Sequence, residues 1–136
     1  MACWLVKSEP ETYAWADLAR EGRTVWDGVR NNAAALHLKA MTVGDEVLFY
    51  HSGADKAVVA VAKVAREAFP DASDPAERFV AVELEPVRAL ARPVTLATMK
   101  AEPTLAAMAM IRQSRLSVSP VTAAEWAAIL NLAGEE

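Results

Sequence analysis

The sequence predicts an α+β domain built on a curved, mostly antiparallel sheet, and three observations carry that prediction. Two segments with apolar alternation, Gly44 to His51 and Lys56 to Phe69, are separated by Ser52-Gly53-Ala54-Asp55, a hairpin-length turn. A third such segment, Arg78 to Arg88, follows a polar loop from Pro70 to Glu77. Helical patterns come before and after these strands, not between them. The βαβ alternation of a doubly wound parallel sheet is therefore missing, and a small, partly open barrel is expected.

The elements follow in order. Cys3 to Lys7 (CWLVK) is a short apolar strand, ended by the proline of Ser8-Glu9-Pro10-Glu11. From Tyr13 to Arg20, Trp15, Leu18 and Ala19 sit at helical spacing, and Gly22 stops the helix. The Asp27-Gly28 pair signals a tight turn before a short helix from Ala33 to Met41. Within Lys56 to Phe69, strict alternation places Val58, Ala60, Ala62 and Val64 on one face, with Val59, Val61 and Lys63 on the other. Beyond Pro93 two short helical pieces are expected, broken at Pro103, then a basic turn and an extended Leu116 to Val121. Thr122 and Glu125 have capping-box spacing at the start of a final helix whose buried stripe is Trp126, Ile129 and Leu130.

Composition excludes several function classes. The 136 residues fit one domain, 1–136, and an apolar fraction of 54% with 24% charged residues supports a sizeable core. The apolar stretch Ala2 to Val6 is too short for a signal peptide and no run approaches a membrane span, so a cytoplasmic location without membrane contact is expected. A net charge of −4 argues against binding by a blanket of cations over phosphates. One cysteine (Cys3) and two histidines (His37, His51) lie at no usable metal-ligand spacing, so no metal or cofactor is expected. Nucleophile elbows and phosphate-cradling glycine loops are missing too. His51 and Ser52, adjacent on a strand, point to opposite faces and do not form a catalytic dyad.

Four polar clusters stand at element ends: Lys7-Ser8-Glu9-Pro10, Trp26 to Asn32, Tyr50-His51-Ser52, and Arg112-Gln113-Ser114-Arg115-Leu116-Ser117. Singly, each reads as a cap or turn, with Ser8 and Ser52 bonding local backbone, Asn31 and Asn32 starting a helix and the arginines solvated. Jointly, they are the side chains that strand ends of a small sheet can direct into one cleft. His51 is open between a structural hydrogen bond and a ligand contact. Arg112 or Arg115 has the further reading of an ion pair, with Glu9 or another buried carboxylate, that braces the cleft.

The blocks WLVKSEP, WDGVRN, GDEVLFYHS and RQSRLSVSPV, in that order from Trp4 to Val121, resemble the signature blocks of the EVE domain family. That resemblance implies a PUA-like pseudo-barrel, a curved, mostly antiparallel sheet of five to six strands flanked by short helices. It also implies a non-catalytic reader of a modified base, of the methylcytosine type or similar, in DNA or RNA. The expected ligand-binding set is Lys7, Ser8, Glu9, Trp26, Val29, Arg30, Asn31, Tyr50, His51, Ser52, Arg112, Gln113, Ser114, Arg115 and Leu116. Trp26 and Tyr50 would supply aromatic faces to replace a base's lost stacking, with hydroxyl, carboxylate and amide groups for its pairing edge. Arg30, Lys39, Arg112 and Arg115 would meet flanking phosphates. After WDGVRN, Ala33, Ala35 and Leu36 stand where relatives carry polar residues, and Ala14 stands where a capping serine is common. The alternative is an ASCH-like amidohydrolase acting on a modified nucleoside through Lys7 and Glu9. A third class, a protein-interaction module, would require an exposed apolar patch.

Overall fold

The computed structural model describes residues 2–135. The strands are β1 (Cys3–Ser8), β2 (Thr24–Trp26), β3 (Glu46–His51), β4 (Ala57–Pro70), β5 (Val80–Thr95) and β6 (Val118–Val121). The helices are α1 (Trp15–Glu21), α2 (Asn32–Ala40), α3 (Leu96–Lys100), α4 (Ala109–Arg112) and α5 (Ala123–Leu132), with one 3-10 turn at Pro103–Leu105. The six strands form one open mixed sheet in the order β2-β5-β4-β3-β1-β6, flanked by the five short helices. All neighbouring pairs are antiparallel except β1 with β3, which run parallel. That pair departs from the antiparallel expectation only locally: α1, β2 and α2 intervene between the two strands, which supplies the long crossover a parallel pair needs.

The sheet is buried on both faces, and β3 shows why its sequence is a continuous apolar run. Val47 and Phe49 enter one core with Trp4, Val6, Leu18 and Leu38, whereas Leu48 and Tyr50 enter the other with Leu5, Met99, Leu105 and Ile129. Complete burial of each such side chain stabilises the fold by about 1.5–3 kcal/mol. Asp45, 2% exposed, opens β3 by accepting hydrogen bonds from the Trp4 indole, the Thr42 amide and the Thr42 hydroxyl, each at 3.0 Å.

Four details differ from the sequence expectations. Ahead of the Asp27-Gly28 turn, where no strand is expected, Thr24–Trp26 forms a short edge strand, β2, with Trp26 paired to Val82. Val59 is a bulge: Phe49 pairs with Ala60 and Tyr50 with Val58, so strict alternation fails there. Val58 consequently joins Val61 in the second core, while Ala60, Ala62 and Val64 pack in the first. Strand β5 continues past Arg88 to Thr95 despite Pro86 and Pro93; register shifts along its pairing with β4 accommodate the missing amide donors. The region after it divides into three pieces, since Pro103 opens its own 3-10 turn. The expected cap of α5 is present: the Glu125 amide donates to Thr122 Oγ1 and the Thr122 amide to Glu125 Oε1.

Candidate functional site

The ends of β1 and β2 and the loops that follow them enclose a cleft of about 560 Å³. Lys7, Ser8 and Glu9 form one side, Trp26, Val29 and Arg30 the other, with Thr12, Tyr13, Thr24, Val25, Asp27, Gly28 and Ser117 completing it. The Lys7 amide donates to the Ser117 carbonyl at 2.9 Å, so the end of β1 and the segment entering β6 are joined at the cleft. Trp26 is half-buried and meets Tyr13 and Phe49 edge-to-face, with centroids 6.2 and 5.6 Å apart. Such contacts fix the indole plane. Tyr13, which in the sequence marks only a helix start, donates its hydroxyl proton to Glu21 at 2.6 Å; burial together with that carboxylate pushes its pKa up to about 12.

The Trp26 turn is braced by the polar loop between β4 and β5. Asp71, 1% exposed, accepts from the Gly28 amide at 2.9 Å and from Arg30 Nη1 at 3.0 Å. The Ser73 amide and hydroxyl bond the same carboxylate, and Arg30 Nη2 also reaches Ser73 Oγ at 3.1 Å. Burial alone would raise the Asp71 pKa, but the bonds from Ser73, Gly28 and Arg30 outweigh it and hold the carboxyl well below the ordinary range. Arg30 also lies 5.3 Å from the centroid of the Phe79 ring. Its guanidinium is thus committed to the 71–79 loop. The Asp71-x-Ser73 spacing of a local side-chain turn is the available sequence signal for that loop's order. Nothing local in the sequence announces its contact with residues 28 and 30.

The expected single hollow is instead three adjacent depressions. Tyr50 and Ser52 belong to a second one, about 260 Å³, which shares Lys7 with the Trp26 cleft. Period-two geometry requires the separation: Phe49, against which Trp26 packs, and Tyr50 face opposite sides of β3. The two rings therefore do not form one aromatic pocket. Arg112, Gln113, Ser114, Arg115 and Leu116 line a third depression with Asn31 and Ala33, about 350 Å³ in volume. Ser114 belongs to the second and third, and Lys7 Nζ donates to its carbonyl at 2.9 Å. Burial lowers the Lys7 pKa.

Other polar residues carry visible structural duties. Ser8 Oγ donates to the Tyr13 carbonyl, and the Ser52 amide to the Ser8 carbonyl. Asn31 caps α2 by accepting from the Ala34 amide at 3.0 Å. His51 accepts from the Trp15 amide through Nε2 at 3.0 Å, which leaves its proton on Nδ1 facing Asp55 at 3.1 Å. Ala14 cannot cap α1 with its side chain; His51 and Asp17, which accepts from the Ala14 amide, satisfy the exposed donors instead. Glu9 is exposed, and among the described residues it has no ion-pair partner. The third depression, not Glu9, is where Arg112 and Arg115 lie.

Comparison with known proteins places this geometry. The family model described as EVE domain matches residues 2–132. Human thymocyte nuclear protein 1 is 30% identical over 167 aligned residues, covering 98% of this chain and 74% of that protein. A crystal structure of human THYN1 protein in complex with 5-methylcytosine containing DNA aligns with a TM-score of 0.93 at 30% identity, covering 100% of this chain and 99% of that one. The NMR structure of Rpa0253 from Rhodopseudomonas palustris aligns at 46% identity and a TM-score of 0.93, covering 98% and 94% of the two chains. ASCH from Zymomonas mobilis, at 13% identity and a TM-score of 0.62 over 96% of this chain and 94% of that one, shares the fold alone. With a family match across nearly its whole length, this chain belongs to the EVE domain family.

Proposed function

We propose that the protein is a non-catalytic reader that receives a modified nucleobase of the methylcytosine type, displaced from a DNA strand, into the Trp26 cleft. The observation that carries this reading is the end-to-end correspondence with a protein crystallised on 5-methylcytosine containing DNA, at a TM-score of 0.93. The cleft has suitable chemistry. Trp26 and Val29 offer apolar surface, and Ser8 Oγ, having donated to Tyr13, retains acceptor capacity. Glu9 and Asp27 line it without ion-pair partners among the described residues, and a carboxylate is a suitable acceptor for the exocyclic amine of cytosine. A base methyl adds only about 0.8 kcal/mol of burial, so selectivity must come from shape and from exclusion of misfitting bases.

Titration with DNA and RNA oligonucleotides carrying methylated, hydroxymethylated or unmodified cytosine tests the reading. Tighter binding of a modified strand, abolished by Trp26→Ala, is the expected result. Equal affinity for all strands would refute it.

A further inference from the structure

The second depression differs chemically from the Trp26 cleft. Lys7, Lys56 and Lys100 bring three ammonium groups to it, Tyr50 and Ser52 bring hydroxyls, and no carboxylate lines it. The chain as a whole has 18 acidic residues against 14 lysines and arginines, so an acid-free group of lysines runs against the prevailing charge. Among the described residues none of the three lysines takes part in an ion pair. Asp55, which lines a neighbouring depression with Lys56 and Lys100, has its carboxylate against His51 Nδ1. Glu9 and Glu11 line another depression, beyond Gly53.

Backbone geometry joins the elements that carry these cations. Lys56 has a left-handed conformation, φ 44°, uncommon for a residue other than glycine. Its carbonyl accepts from the Leu96 amide at 2.8 Å, pinning the β3-β4 turn to the start of α3, whose last residue is Lys100. Lys7 spends one proton on the Ser114 carbonyl, leaving two donors on its ammonium. It lines the Trp26 cleft as well, so the two depressions meet at one side chain.

We propose that the Lys7-Lys56-Lys100 depression is a phosphate subsite, holding a phosphodiester of the strand whose base enters the Trp26 cleft. The proposal rests on the base-reading function above. Ammonium groups act here as point charges for phosphate oxygens, with the Tyr50 and Ser52 hydroxyls as further donors.

The test compares the salt dependence of binding to a methylcytosine-containing duplex for the wild type and for Lys56→Gln/Lys100→Gln. Both side chains are exposed and outside any ion pair among the described residues, and Lys100→Glu provides a second variant that raises the effect by charge reversal. The slope of log K against log salt should become shallower by about 0.9 for each phosphate that the variant no longer neutralises, with affinity reduced on modified and unmodified strands alike. An unchanged slope in both variants overturns the proposal. Lysine-dependent slopes without preference for the modified base would sink the base reading and leave the phosphate subsite standing; preference with lysine-independent slopes would do the reverse. A parallel NMR titration with inorganic phosphate separates the sources: shifts at the Ser52, Gly53 and Leu96 amides, alongside an unaltered strand slope, would assign the depression to free phosphate and defeat the strand assignment.

Discussion

The Asp71 carboxylate accepts a hydrogen bond from the Gly28 amide at 2.9 Å, joining two loops 43 residues apart. Through this bond and Arg30, a buried charge from the β4-β5 loop holds the turn that follows Trp26. Asp71→Ala leaves the Gly28 amide and Arg30 without their acceptor and should cost about 1–3 kcal/mol, measured by urea denaturation. Because the brace holds the turn that carries Trp26 into the cleft, strand affinity should fall in this variant as well.

The same carboxyl sets an acid dependence. Its folded pKa is depressed, so its contribution to stability is fully present above the unfolded value of about 3.9 and is lost as pH falls toward the lower folded value. The stability gap between wild type and Asp71→Asn should therefore be flat from pH 7 to about 5 and narrow below about 4. A gap that widened on acidification would contradict the assigned hydrogen bonds.

Trp26 separates packing from recognition. Trp26→Ala removes an indole that packs on Phe49 and Tyr13, so some stability loss accompanies any binding loss. Trp26→Phe keeps an aromatic face and should retain the fold in a thermal melt. Base-aromatic stacking is worth about 1–3 kcal/mol, so the alanine variant should lose roughly tenfold to a hundredfold in affinity for the modified strand, and the phenylalanine variant less.

His51 is expected to act on helix α1. His51→Ala removes the acceptor for the Trp15 amide and should lower stability by about 1 kcal/mol, whereas His51→Gln can restore an acceptor in part. Circular dichroism melts of the pair check this; equal loss in both would argue against the cap.

At the other end of the chain, Thr122→Ala deletes half of a reciprocal cap on α5 and should cost about 1 kcal/mol, with Thr122→Ser recovering most of it. None of the cleft-lining residues comes from this helix, so the variant also serves as a stability-matched control for the binding assays.

Much of the molecule is readable one segment at a time. The α5 cap, the Gly22 stop, the β3-β4 hairpin and the Asn31 start of α2 all depend on side chains within a few residues of the backbone they satisfy. The four polar blocks are legible as motifs through their resemblance to a family's signature blocks. Their family resemblance puts Ser8, Glu9, Trp26, Val29 and Arg30 in the ligand-binding set without any coordinates, and all five line the cleft.

Contacts between distant segments are not legible in this way. One bulge at Val59 moves Val58 to the other core, and no composition or spacing announces where a ladder will slip. Tyr50 follows Phe49 in the sequence yet faces away from Trp26, because neighbouring strand residues diverge and both faces of this sheet are buried. Asp71 becomes a brace only once β4 and β5 bring its loop to Gly28. Short-range hydrogen bonding and hydrophobic period thus determined most of the elements, and the resemblance of four motif blocks pointed to the family. Long-range pairing decided which side chains share a cleft, since register and partner choice are properties of the assembled sheet.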